Sequence, residues 1–214
     1  MFIEDKSSDN IFFSIITPNY NSGGKILRAI ESLKSNSISY EHIIIDDCST
    51  DDSFFSVKRI ESANPELVLF DNPANVGPGA SRNKGLDVAK GNYIIFLDAD
   101  DYFLDNALDT LHSIIKSEEK IDVLIFKSYM ITNTNDSLNL LNDSGDISLI
   151  KDPIHDFLLD KIISSPWGKC IKADLAKSFR FPNLRVSQDA PYNLDIFMSA
   201  KNVLKLDSVF YIFD

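Results

Sequence analysis

Asp98, Asp100 and Asp101 fall within four positions, directly after the apolar run Ile94-Ile95-Phe96-Leu97. Such a run reads as a strand buried on both faces, as parallel sheets require. Its C-terminal end, where open α/β sheets place their ligands, then carries three carboxylates. Acids this close repel one another unless a positive charge sits among them. A hard divalent cation, Mg²⁺ or Mn²⁺, would meet that need, since such ions are held by one or two carboxylates plus substrate phosphates. The alternative is a polar turn whose aspartates cap the next helix.

Three further segments carry residues able to bind a nucleotide. In Thr17-Pro18-Asn19-Tyr20-Asn21, Pro18 biases Thr17 to an extended backbone, and Tyr20 offers a flat face for a base. In Asp46-Asp47-Cys48-Ser49-Thr50-Asp51, one carboxylate could accept a hydrogen bond from a pyrimidine imide N–H, or the acids could simply cap a helix. Residues 75–85, NVGPGASRNKG, place Gly77 and Gly79 at a helix start, where backbone can approach an anion, with Arg82 and Lys84 close by. The segment is neither a P-loop nor a G-x-G-x-x-G fingerprint in register.

The elements needed to position these residues alternate along the chain. Strands are predicted over 11–17, 42–47, 67–70, 93–97 and 123–126. Between them lie a helical stripe at 26, 27, 30 and 33, and a helix capped by Ser49 or Thr50 that carries Phe54, Phe55, Val57 and Ile60. A Gly- and Ala-rich helix over 77–89 and one capped by Asp105 follow. This alternation implies right-handed crossovers and a doubly wound, mostly parallel, Rossmann-like sheet. Beyond residue 131 the pattern changes: 132–146 reads as an exposed loop or hairpin, Asp152-Pro153 starts a helix, and 166–190 is irregular. A helix over 191–199 and an extended segment over 203–213 close the chain.

At 214 residues the chain suits a single domain. A net charge of −11 argues against nucleic acid and against an anionic membrane surface, so any bound phosphate must be held locally. The N-terminal ten residues do not form a signal peptide, and no window reaches the ~18 apolar residues of a membrane span. Cys48 and Cys170 read as two buried thiols of a reducing cytoplasm, and His42, His112 and His155 are isolated.

Together the segments FSIITPNYN, IIIDDCSTDDS, NVGPGASRNKGLDVAKGNYIIFLDADD and SPWGKCIKADLAKSFRFPNLRVSQD resemble the family 2 glycosyltransferases, the nucleotide-sugar transferases of the GT-A fold. They occur in the family's order over about residues 11–200. The resemblance implies a single GT-A domain, with a nucleotide-sugar-binding half over about 11–101 and an acceptor and catalytic-base half over about 102–214. It implies that Thr17, Pro18 and Tyr20 line the base pocket, that Asp47 contacts uracil, and that Arg82 lies near the base or diphosphate. In the D-x-D motif, Asp98 would touch the ribose and Asp100 would bind the Mn²⁺ or Mg²⁺ that bridges the diphosphate. Asp189 would be the general base, with Trp167 and Lys169 on the acceptor side. Gln188 departs from the family's usual Glu before the base, and Asp105 replaces a frequent Pro.

The activity so implied is inverting transfer of one sugar from a UDP-sugar to an acceptor hydroxyl, since the Q-x-x-R-W motif of processive synthases is absent. The acceptor would be a glycan or lipid-linked glycan of a bacterial surface. The protein would be cytoplasmic or peripheral at the inner face of the membrane, and a C-terminal extension could follow. A non-catalytic nucleotide-sugar-binding module of the same fold is the alternative. A phosphoacceptor receiver domain fits poorly, because its acid pair should end the first strand. A nucleotidyltransferase would need a Gly-rich basic loop after the first strand, which is missing here.

Overall fold

The computed structural model describes residues 11–118, 120–130, 145–184 and 186–213. The N-terminal half is built from β1 (Phe13–Asn19), β2 (Tyr40–Asp46), β3 (Leu67–Asp71) and β4 (Tyr93–Phe96), joined by α1 (Lys25–Ser32), α2 (Ser53–Glu61) and α3 (Pro78–Val88). These four strands run parallel in the order β3-β2-β1-β4. The apolar runs are continuous because both sheet faces are covered. Phe13, Ile15, Ile95 and Leu97 pack on one side with Leu108 and Leu111. Ile16, Ile94 and Phe96 pack on the other with Leu86, Ile196 and Phe197. Burying each such side chain contributes about 1.5–3 kcal/mol.

The remainder comprises β5 (Tyr102–Phe103), α4 (Ala107–Ser117), β6 (Val123–Met130), β7 (Ile147–Leu149), α5 (Pro153–Leu158), β8 (Lys169–Lys172), α6 (Ala173–Lys177), α7 (Asp189–Ser199) and β9 (Val203–Phe213). It extends the same sheet, which is mixed and mostly parallel, in the order β3-β2-β1-β4-β8-β6-β9-β5, with β7 paired to β9. β8 enters antiparallel to both β4 and β6. β6 and β9 pair in parallel, with register shifts around Lys127.

Several expectations are corrected. Part of the segment expected to be irregular, 166–190, contains β8 and α6. The strand was hidden because its lysine at 169 is fully buried, which breaks the hydropathy pattern. Neither Ser49 nor Thr50 caps α2; the helix begins after Asp52, with Asp51 accepting from the Ser53 N–H at 3.0 Å. Asp105 does not cap α4, which starts after a left-handed Asn106. Asp152 does cap α5, accepting from the His155 N–H at 2.9 Å. Cys48 is exposed at φ 63°, whereas Cys170 is buried as expected. Most of the loop expected over 132–146 lies outside the described residues, but residues 147–149 add β7 to the sheet edge.

Candidate active site

The carboxyl ends of β1, β2 and β4 open onto one cleft of about 700 Å³, lined by Pro18, Tyr20, Asp47, Arg82, Asp98 and Asp100 among others. Six of the ten residues singled out in the sequence therefore meet at one place. Asp189, the first residue of α7, reaches the same group through Arg82.

Arg82 is the hub. Its side chain is only 6% exposed and projects from α3 between two carboxylates. Nη2 donates to Asp98 at 2.8 Å and Nη1 to Asp189 at 3.0 Å, while the guanidinium lies 5.5 Å from the Phe181 ring centroid. Burial raises the Asp189 pKa, Arg82 opposes that rise, Asp98 adds to it and Lys169 lowers it. The net shift is upward, the direction a general base needs.

The third carboxylate of the acidic turn does not join the other two. Asp101 is buried and accepts from the Tyr211 hydroxyl at 2.6 Å. The same hydroxyl accepts from the Asp98 N–H at 3.1 Å, and the Tyr211 ring stacks on Trp167 at 5.0 Å. On the other flank the Arg28 guanidinium sits over Tyr102 and donates to the Asp100 carbonyl at 2.5 Å. The acidic turn is thus held from both sides. The Asp100 carboxylate makes no hydrogen bond or ion pair among the described residues and borders the cleft.

Asp47 is buried at the cleft wall. Its carboxylate accepts from the Asn72 side chain at 2.9 Å and from the Val76 and Gly77 N–H groups at 2.9 and 2.7 Å. It therefore fixes the loop that leads into α3. Gly77, at φ 87°, takes a conformation that favours glycine. The close approach that Gly79 permits is made by a side chain: a Cβ there would lie 1.9 Å from Gln188 Oε1. Gln188 is thus packed against the α3 N-terminus immediately before Asp189.

Three predicted residues do not reach the cleft. Thr17 is buried beneath it, with Oγ1 2.8 Å from His42 Nε2. Trp167 lies in the core against Tyr211 and Phe213. Lys169 is fully buried, and its ammonium donates to the Ile163, Ser165 and Trp167 carbonyls at 2.9, 2.7 and 3.4 Å. Burial pushes its pKa down to about 7, against the pull of Asp189. Residues not singled out include Asn19 and Asn21, which tie the β1 turn to the β2 turn through Asp46 at 2.6 Å and Thr50 at 2.8 Å. Their recurrence in the polar stretch 19–22 was the available signal.

The glycosyl transferase family 2 model matches residues 14–171, most of the chain. The chain belongs to this family. It is 28% identical over 198 residues to the poly(ribitol-phosphate) beta-glucosyltransferase of Bacillus spizizenii, covering 89% of this chain and 30% of that protein. It is 33% identical over 118 residues to TarS of Staphylococcus aureus, a poly(ribitol-phosphate) beta-N-acetylglucosaminyltransferase, covering 54% of this chain and 20% of that one. The crystal structure of S. aureus TarS 1-349 in complex with UDP-GlcNAc superposes with a TM-score of 0.79 at 25% identity, over 94% of this chain and 58% of that one. The chain thus spans less than a third of the length of these curated relatives. No helix among the described residues is long and apolar enough to cross a membrane.

Proposed function

We propose that this glycosyl transferase family 2 chain is an inverting, metal-dependent transferase that moves one sugar from a UDP-sugar to an acceptor hydroxyl. The observation that carries this reading is the Arg82 bridge, which sets a nucleotide-sized cleft and a carboxylate base on the two sides of one guanidinium. The relatives' names support a polyol-phosphate polymer as acceptor, and the TarS complex supports UDP in the donor cleft. The same reading divides the domain into a donor half over about 11–101 and an acceptor half over about 102–214. It places the protein in the cytoplasm or at the inner face of the membrane.

Asp100 fits a hard cation, because its carboxylate borders the cleft with no ion-pair partner among the described residues. Among the described residues no three His, Cys, Asp or Glu side chains converge on a metal site, so the protein alone offers a weak one. Mn²⁺ or Mg²⁺ would be held by Asp100 together with donor phosphates and water. When bound it would neutralise charge that builds on the departing diphosphate. Pro18, Tyr20 and Asp47 would bound the base. Asp98, held by Arg82, would face the ribose. Asp189 would take the proton of the attacking hydroxyl through Oδ2, since Oδ1 is engaged by Arg82.

Release of UDP from UDP-sugars, followed with Mn²⁺ and a polyol-phosphate acceptor, tests this. Asp189→Asn should lower turnover by about 10²–10⁴-fold while calorimetric UDP affinity stays near wild type. Equal loss of UDP affinity would show that Asp189 is a binding residue and not the base.

A further inference from the structure

A second concavity, of about 650 Å³, lies at the opposite edge of the sheet, and the proposed reaction does not use it. Tyr93 borders it at the start of β4, and Asp98 follows five residues later. At ~3.4 Å per residue, roughly 17 Å of chain separates the hollow from the donor cleft. Lys90, Lys116, Lys172 and Lys177 converge on it from the ends of α3, α4 and β8 and from α6, with Asp174 the single acid in its wall. Lys177 is engaged, donating to the Ala89 carbonyl at 2.5 Å. Lys116 lies 5.4 Å from the Phe12 ring centroid, a contact that leaves its charge uncancelled. Lys90, Lys116 and Lys172 form no ion pair among the described residues, Asp174 included.

Elsewhere this acidic protein does pair exposed lysines. Lys34, Lys58, Lys127 and Lys161 each meet a carboxylate, at 2.7, 2.6, 2.7 and 3.1 Å. Three ammonium groups gathered without such partners repel one another, and an anion between them relieves that repulsion. We propose that the hollow binds phosphate groups of a phosphodiester polymer, holding the acceptor chain at a second point away from the reacting end. The identity of the polymer rests on the acceptor class proposed above. A polymer strand can enter a concavity that a flat bilayer cannot, and a net charge of −11 opposes an anionic bilayer. Two-point attachment also raises the effective concentration of the reacting end without adding any contact in the donor cleft.

The test compares the wild-type chain with the triple variant Lys90→Glu, Lys116→Glu, Lys172→Glu, all surface positions. The probe is a ribitol-phosphate oligomer titrated by calorimetry, with phosphatidylglycerol vesicles as the second arm. The expected result is oligomer binding about tenfold or more weaker in the variant, and a similar loss for wild type in about 0.5 M salt. Oligomer affinity unchanged by the three reversals would overturn the proposal. So would lysine-dependent binding seen with vesicles and not with oligomer, which would make the hollow a membrane contact. UDP affinity, read in parallel, should be equal in both proteins. Loss of UDP binding from both would count against the donor cleft alone, so the two failures are distinguishable.

Discussion

Tyr211→Phe isolates the support of the acidic turn. The substitution keeps the ring that stacks on Trp167 at 5.0 Å and 10° and removes one oxygen. That oxygen makes two hydrogen bonds, a partly buried one accepted from the Asp98 N–H at 3.1 Å and a buried one donated to Asp101 Oδ2 at 2.6 Å. Burial, and then the Asp98 and Asp101 charges, hold the phenol well above its ordinary pKa, so it remains a donor throughout the working range. A neutral bond contributes about 1 kcal/mol and one to a carboxylate about 1.5–3 kcal/mol, so the loss sums to roughly 2.5–4 kcal/mol. At about 2–4 °C per kcal/mol for a domain of this size, the melting midpoint should fall by roughly 5–15 °C. The turn carrying Asp98 and Asp100 should also loosen, so UDP affinity measured by calorimetry with Mn²⁺ should weaken more than affinity measured without it. A midpoint within about 2 °C of wild type, together with an unchanged Mn²⁺ dependence, would refute the claim that β9 positions this turn.

Three further outcomes follow from the same geometry. Asp100→Ala should abolish the increment that Mn²⁺ adds to UDP affinity while leaving metal-free affinity unchanged, and calorimetry with and without the ion reads both. Arg82→Met removes a charge that lowers the Asp189 pKa, so the acid limb of the turnover profile should move to higher pH, because the base acts only when deprotonated. Lys169, with a folded pKa of about 7 against ~10.4 in a model peptide, binds fewer protons folded than unfolded between those values. Stability should therefore rise with pH from about 7 to about 10 in wild type, and Lys169→Met should lack that rise in paired thermal melts.

The N-terminal half was legible because its physics is local. Its strands centre on short apolar runs such as Ile43–Ile45 and Ile94–Phe96, buried on both faces, and α1 shows a one-sided stripe, so alternation implies crossovers and a site at the carboxyl edge. The extent of β9, 203–213, was also legible, from its apolar and aromatic residues on either side of Asp207-Ser208. β8 was not, because its entry residue is a lysine whose charge is met by three carbonyls, a solution no periodicity records. The direction of Asp101 was equally hidden. Three adjacent acids look alike in sequence, and only the presence of Tyr211, 110 positions away, turns one of them inward. Glycine chemistry misled in part, since what approaches Gly79 is Gln188 from the far half of the chain.

On the proposed reading, the charge balance of the cleft favours a cation beside the donor. Asp98, Asp100 and Asp189 gather near it, with Asp47 in its wall, while Lys25 and Arg82 are the basic residues that line it. Arg82 already has two carboxylates bonded to its Nη atoms. The carboxylate of Asp47 is met by dipoles, through one side-chain amide and two backbone N–H groups, not by a charge. A diphosphate entering this environment brings further negative charge against a local excess of acids, and Coulomb repulsion at a few ångströms is large at the dielectric of a partly buried cleft. A divalent ion held by Asp100 would supply the charge that offsets this repulsion, and the Arg82 bridge would remain as it is. In the proposed mechanism Arg82, bonded to both Asp98 and Asp189, would hold the base beside the donor wall, so placement of the sugar and removal of the acceptor proton would both rest on one buried guanidinium.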